Sequence, residues 1–256
     1  RLFDSHKINP GHIKTIEDLR IIPFTQKDDF IPTKESPSRF LDFILQPKED
    51  LIRKYWRKDK LLWLFLLKSI RGQEYVKQKL EKEYRPIFLT ATTGTTNQPV
   101  SFLYSNYDIE NLKISGYRLL EVLGGKGEIR AVNIFPYAPH LAFWQTVFGG
   151  FSHNNFLLST GGGKVMGREG TINSISKVRP NIIIGVPSYI YHLIRSASEL
   201  GKDFSFVQKI VLGASSIPLG FKDKLASWLK SMGSKHVRIM GTYRFTEAKC
   251  AWGECP

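Results

Sequence analysis

The stretch "PNIIIGVPSYIYHLIRSASELGKDFSFVQKIVLGAS", residues 180–215, decides the fold. Its opening "NIIIGV" is apolar without alternation, as expected of a strand covered on both faces. "SYIYHLIRSASELG" (188–201) follows with helical spacing and stops at Gly201, a residue suited to the end of a helix. "VQKIVLGAS" (207–215) then returns as a second strand. Strand, helix and strand in so short a span form a crossover unit, which joins parallel neighbours.

The same alternation extends both ways. Upstream, "PIFLTA" (86–91) reads as a strand, "YDIENLKISGYRLLEVL" (107–123) as a helix and "IRAVNIFP" (129–136) as a strand. "HLAFWQTVFGGF" (140–151) is helical, "STGGGKV" (159–165) is a glycine-rich turn, and "TINSISKV" (171–178) is a short helix. Downstream, "GFKDKLASWLKSMG" (220–233) is a helix and "KHVRIMGTY" (235–243) the last strand. The expected fold class is α/β, a mostly parallel sheet flanked by helices. Residues 1–85 read as an N-terminal segment packed on an 86–256 core. It is irregular over 1–38 and helical over 39–83, with a second helix after Gly72.

A chain of 256 residues with 42% hydrophobic residues, five Trp and seventeen Phe can bury a large core, which excludes a disordered tail. Its 37 basic and 23 acidic residues leave a net charge of +14, which favours anionic partners. The longest apolar run, "LLWLFLL" (61–67), is far short of the ~20 residues of a spanning helix. Two cysteines make no disulfide framework, and a cytoplasmic setting is expected. Cys250 and Cys255 are spaced C-x4-C, two ligands short of a closed zinc site. The chain begins with Arg1 and stops just after a motif, so it reads as part of a longer polypeptide.

In sheets of this kind ligands sit at the carboxyl ends of strands. Three polar segments are expected there: "TATTGTTNQP" (90–99), "GAS" (213–215) and "YRFTE" (243–247). In the first, Thr92, Thr93, Thr95 and Thr96 surround Gly94. Glycine permits a tight turn, successive backbone N–H groups form an anion nest, and hydroxyls add donors for phosphate oxygens.

Together these motifs resemble those of the adenylate-forming enzymes. "TTGTTNQPV" (92–100) resembles their phosphate loop, Ser/Thr-Ser/Gly-Gly-Ser/Thr-Thr-Gly-x-Pro-Lys. "TYRFTE" (242–247) is similar to their Tyr-Gly-x-Thr/Ser-Glu motif, and "VLGASSIP" (211–218) stands where the family has Gly-Gly/Ala-Glu. "IKTIEDLRIIPFTQKDDF" (13–30), "VPSYIYHL" (186–193) and "TEAKCAWGEC" (246–255) resemble the phenylacetate–CoA ligase group in particular. The resemblance reaches from about Ile13 to Cys255, nearly the whole chain.

The resemblance implies an N-terminal, nucleotide-binding portion of such an enzyme, whose C-terminal lid with its catalytic lysine is not in this chain. It implies ATP, Mg²⁺ and coenzyme A as cofactors, an aryl or fatty carboxylic acid as substrate, and an acyl-adenylate as the product of the first step. Thr92, Thr93, Gly94, Thr95 and Thr96 would hold the β- and γ-phosphates. Tyr243 would stack on adenine beside Gly213, Ala214 and Ser215. Thr246 would touch the α-phosphate, and Glu247 would hold the metal. Tyr137, His140, Phe143 and Trp144 fall near one helical face and would line the acyl pocket, with His140 orienting the carboxylate. The chain departs from the family pattern at Asn97, Val100 and Ser215, and most sharply at Arg244, which replaces a glycine. Beside the nucleotide, that cation either binds phosphate or blocks adenine.

A second reading is a catalytically degenerate or non-enzymatic basic binding module for membrane or nucleic acid, suggested by the charge, Arg244 and the basic helices of 48–85. Under the first reading nucleic acid is not an expected partner, and a homodimer and peripheral membrane contact are left open.

Overall fold

A computed structural model describes residues 2–92, 99–124, 127–137 and 140–255. The chain opens with a single turn, α1 (Leu2–Ser5), and four 3-10 turns. Three helices follow: α2 (Glu49–Tyr55), α3 (Lys58–Arg71) and α4 (Gln73–Tyr84). The sequence led us to expect one helical stretch over 39–71. The chain instead makes a 3-10 turn over Arg39–Phe43, becomes α-helical only at Glu49, and leaves the helix again at Trp56 and Arg57, whose ψ angles of 149° and 144° are extended. Trp56 there packs on Tyr84 with ring centroids 6.1 Å apart. Gly72, at φ 87°, separates α3 from α4.

Next come β1 (Pro86–Ala91) and β2 (Ser101–Ser105), then α5 (Asn106–Val122), β3 (Arg130–Asn133) and α6 (Leu141–Ser152). The chain continues through β4 (Phe156–Ser159), α7 (Gly163–Val178), β5 (Ile182–Gly185), α8 (Pro187–Glu199) and β6 (Lys209–Leu212). It ends with α9 (Phe221–Ser231), β7 (Arg238–Phe245) and β8 (Cys250–Gly253).

Six strands form one sheet in the order β4-β3-β5-β6-β7-β8. All neighbours are parallel except β7 and β8. The fold class expected from the sequence is therefore observed. Strand alternation sends successive side chains to opposite faces. Val132, Ile183, Ile210 and Leu212 meet Ile190, Leu193 and Ile194 of α8 and Leu225 and Leu229 of α9, all fully buried. Ala131, Ile182, Val211 and Met240 turn to the other face, toward Leu119, Leu120 and Leu123 at the end of α5.

One expectation fails. β1 is a strand with the expected bounds, yet it is not in the parallel sheet. It pairs antiparallel with β2 as a separate two-stranded ribbon, Ala91 opposite Ser101. The ribbon packs through Phe88 against Trp144 and Phe148 of α6, at 5.2 and 6.1 Å between ring centroids. The "TATTGTTNQP" segment thus links two ribbon strands and does not end a strand of the main sheet.

No helix among the described residues is long and apolar enough to cross a membrane.

Candidate functional site

β7 changes partner halfway. Arg238–Gly241 pairs in parallel with β6, while Thr242–Phe245 pairs antiparallel with β8. The second half therefore projects beyond the carboxyl end of β6. Tyr243 lies on its outer side, 68% exposed, beside the exposed rings of Phe245 and Trp252 at 6.0 and 6.1 Å. Phe245 and Trp252 stack at 5.5 Å. These two aromatic partners of Tyr243 escaped the sequence reading. The Tyr-x-Phe alternation of period two was the available signal for Phe245.

The ends of β6 and β7 are sewn together. The Thr242 hydroxyl donates to the Leu212 carbonyl at 3.0 Å, and a side chain at Gly213 would put its Cβ 2.5 Å from that hydroxyl. Ala214 has φ 74°, a left-handed conformation uncommon for alanine, and both it and Ser215 are exposed. Strain of this kind concentrates where a backbone must present itself to something. The structure brings Gly213, Ala214 and Ser215 to the base of the Tyr243 strand.

After Phe245 the chain makes a 3-10 turn, Thr246–Ala248, with Thr246 and Glu247 half-buried. Lys249, at φ 51°, closes the turn and ties it to the ribbon. Its Nζ donates to the Leu103 carbonyl at 2.8 Å and to Asp108 at 3.2 Å, and stands 4.6 Å from the centre of the Tyr104 ring. Asp108 is itself fixed by a capping box with Ser105 at the start of α5. Burial holds the Tyr104 phenol well above its usual range. The Asp108 and Glu247 carboxylates push the same way, and the hydroxyl donated by Thr90 opposes them. Glu247 thus faces the ribbon strand that the threonine segment enters. Thr92 closes that connection: its N–H donates to the Val100 carbonyl and its hydroxyl accepts from the Val100 N–H, each at 3.0 Å. Thr93, Gly94, Thr95 and Thr96 lie outside the described residues, as does Asn97.

The four residues expected around an acyl pocket are only partly on one helix. α6 begins at Leu141 with His140 as its N-cap, so Tyr137 and His140 precede it. The rings still meet: Tyr137 is 5.1 Å from Phe143 and 6.0 Å from Trp144, which are 5.3 Å apart. Phe143 is buried, while Tyr137 is 62% exposed. The glycine run behind them is a packing device: Gly161 lies against Tyr137, Gly162 against Pro136, and a Cβ at Gly163 would come within 2.3 Å of the Tyr189 ring.

Arg244 corrects the sequence reading. Alternation along β7 sends it to the face opposite Tyr243, so it neither meets a ligand on Tyr243 nor fills that slot. Its guanidinium lies 4.4 Å from the centre of the buried Phe135 ring. Burial pushes its pKa down to about 10. It lines a cavity of about 80 Å³ between the sheet and helices α5 and α6.

Among the described residues no three His, Cys, Asp or Glu side chains gather as a metal centre, and Cys250 and Cys255 find no third ligand. A lone carboxylate such as Glu247 suits Mg²⁺, which takes one or two carboxylates and completes its shell with phosphate and water.

No family model matches the sequence, and no curated protein matches it. Solved structures do. A 2-hydroxyisobutyryl-CoA ligase, in an open conformation with 2-HIB-AMP and CoA, superposes with a TM-score of 0.69 at 13% identity over 96% of this chain and 48% of that one. A long-chain-fatty-acid–CoA ligase from Archaeoglobus fulgidus gives 0.55 at 18% identity over 66% and 33%. A nonribosomal peptide synthetase gives 0.52 at 14% identity over 67% and 17%. The chain therefore spans about half the length of the first of these neighbours (48%). At such identities the likeness is one of architecture, and by that architecture the chain has the fold of the adenylate-forming acyl-CoA ligases.

Proposed function

We propose that the chain carries the nucleotide site of an ATP-dependent carboxylate-activating ligase of the phenylacetate–CoA ligase type. The observation that supports this most is the carboxyl edge of the sheet. Gly213–Ser215 and Tyr243–Glu247 sit on adjacent strand ends there, and Lys249 locks the second segment to the ribbon.

The chemistry asks for little besides positioning and charge. A carboxylic acid is already ionised at neutral pH, so it needs no general base to attack the α-phosphate. The obstacle is repulsion between two anions. Oriented donors offset it where charge develops: the Thr246 hydroxyl at the α-phosphate, and Thr92, Thr93, Thr95 and Thr96 with Gly94 at the outer phosphates. Glu247 would hold Mg²⁺, which when bound would supply charge neutralisation at the phosphates. Tyr243 stacks on adenine beside Gly213, Ala214 and Ser215. Tyr137, His140, Phe143 and Trp144 face the acid. Attack on the α-phosphate breaks its bond to the β-phosphate, so pyrophosphate leaves as the mixed anhydride, an acyl-adenylate, forms. The thiolate of coenzyme A then attacks the acyl carbon and AMP leaves.

Two measurements test this reading. The 256-residue chain should bind ATP–Mg²⁺ in a calorimeter, with affinity falling about tenfold or more for Glu247→Ala and Tyr243→Ala. A longer protein that includes the family's C-terminal lid should exchange pyrophosphate into ATP in the presence of an aryl or fatty acid. Absence of nucleotide affinity, with salt-sensitive binding to anionic vesicles or nucleic acid in its place, would favour the basic-module reading.

A further inference from the structure

The helix α3 is rich in large apolar side chains, yet none of its residues is buried. Its main neighbour among the described residues is α4. Leu61, Leu64 and Leu67 are half-buried. Leu62, Phe65, Leu66 and Ile70 share another side of the helix, at spacings of three and four, and are 50–75% exposed. Trp63 adds a further exposed ring, with the Lys79 ammonium 4.2 Å from its centre. Tyr75 at the start of α4 is exposed beside Arg71. The helical pair is held to the core through the end of α4. Tyr84 there is buried and stacks on Tyr107 at 5.3 Å, and Asn106 Nδ2 donates to the Lys82 carbonyl at 2.6 Å. A contiguous apolar face on a helix anchored elsewhere marks a docking surface.

Charge says which kind. Residues 48–85 hold twelve Lys and Arg against six Asp and Glu. Two of those cations, Arg53 and Arg57, pair with Glu49 and Asp59. A groove of about 1120 Å³ runs between α2, α3 and α4, with Leu61, Leu64, Val76 and Leu80 among its walls. Its charged lining is Arg53, Lys58, Lys68, Lys77 and Arg85 against Glu49 and Glu81. An apolar floor under an excess of cations suits the acyl chains and headgroups of an anionic lipid.

We infer that α3, with the groove beside it, docks the protein on a bilayer that contains anionic phospholipid. The helix has 14 residues, so at about 1.5 Å per residue it is too short to cross the hydrocarbon core and lies in the interface. Leu62, Phe65, Leu66 and Ile70 enter the boundary of the acyl chains. Trp63 sits at the level of the headgroups, where amphipathic rings collect. Lys58, Lys68 and Lys77 reach past their apolar stems to the lipid phosphates. A second copy of the chain is a poorer occupant, because like charges would face each other. The surface uses none of the residues assigned to nucleotide or acid, so the inference stands apart from the ligase reading.

The test is co-sedimentation of the 256-residue chain with two kinds of vesicle: phosphatidylcholine alone, and phosphatidylcholine with phosphatidylserine at about 2:1. The chain should bind the mixed vesicles at least about tenfold more tightly, and less so as salt rises. Phe65→Asp combined with Ile70→Asp should weaken that binding about 10- to 100-fold. Lys68→Glu combined with Lys77→Glu should weaken it about tenfold or more. All four side chains are exposed, so Tm should stay within a few degrees of wild type. Brominated lipid should quench the tryptophan fluorescence, and Trp63→Phe should remove most of that quenching. Lack of binding to either vesicle would overturn the inference. So would binding that Phe65→Asp with Ile70→Asp leaves intact, which would reduce it to adsorption by net charge. A concentration-dependent dimer that the same variant abolishes would assign the face to a second copy and overturn it too. ATP–Mg²⁺ affinity should be unchanged in every variant, so this inference and the nucleotide reading fail separately.

Discussion

The two faces of the central sheet are built to different specifications. One meets α8 and α9 with Ile183, Ile190, Leu193, Ile194, Ile210, Leu225 and Leu229, each at 0% exposure, and it is sealed. The other meets α5 and α6, and in place of a sealed core it keeps a cavity with a guanidinium and two amides on its wall. There the helices approach so closely that a Cβ on Gly116 would lie 2.6 Å from the Gly149 backbone. The lesson is a division of labour within one sheet. Stability comes mainly from the sealed face, and the opposite face is free to hold groups that a core would reject.

The sharpest way to break this comparison is to cut the same side chain on both faces. Leu193→Ala, on the sealed side, should cost about 3–5 kcal/mol in chemical denaturation, because the site cannot collapse. Leu120→Ala, on the cavity wall, should cost about 1–2 kcal/mol, since its surroundings are already partly empty. Equal costs would erase the distinction. Next in size is Lys249→Met, expected to cost about 2–3 kcal/mol by leaving Asp108 without its cation, at side-chain exposures of 19% and 16%. It should also weaken ATP–Mg²⁺ binding by loosening the Thr246–Glu247 turn. Gly116→Ala should push α5 from α6, where a Cβ would meet the Gly149 backbone, and cost about 1–3 kcal/mol in chemical denaturation.

The smallest effect expected is one of pH. Lys222, then the Gly241 N–H, hold the Glu254 carboxyl below its usual value. A depressed carboxylate stabilises the fold above its unfolded pKa, and that contribution is lost as pH falls through the folded one. Wild type should therefore lose slightly more stability than Glu254→Gln on acidification below about pH 4.5. The difference should stay under about 1 kcal/mol, because the pair is half-exposed.

Much of this architecture was legible in the residues. The crossover of 180–215 gave β5, α8 and β6, since a continuous apolar run and a helical stripe are hard to mistake. β2, β4 and β8 were missed, the last two because each carries an exposed aromatic, Phe156 and Trp252, where a core strand would show none. β1 was found but misassigned, because strand propensity says nothing about which partner a strand takes. At the site, Tyr243, Thr246 and Glu247 could be picked out as a local motif. The cavity on the opposite face could not: Gln145 and Asn155 line it with Arg244 only because α6 and the turn after it pack on the sheet, some hundred residues earlier in the chain.

The change of partner along β7 has a consequence for fidelity. Side chains on a strand alternate, so sliding β8 past β7 by a single residue would exchange the two surfaces of β8 while β7 stays set by β6. Trp252 would then turn away from Tyr243 and Phe245, and Ala251 would take its place. Glu254 stands just beyond β8, and its bonds to the Gly241 N–H (2.6 Å) and to Lys222 on α9 (2.6 Å) peg the hairpin at one setting. Chemical identity on either surface is thus a matter of counting residues correctly, and one surface carboxylate keeps the count.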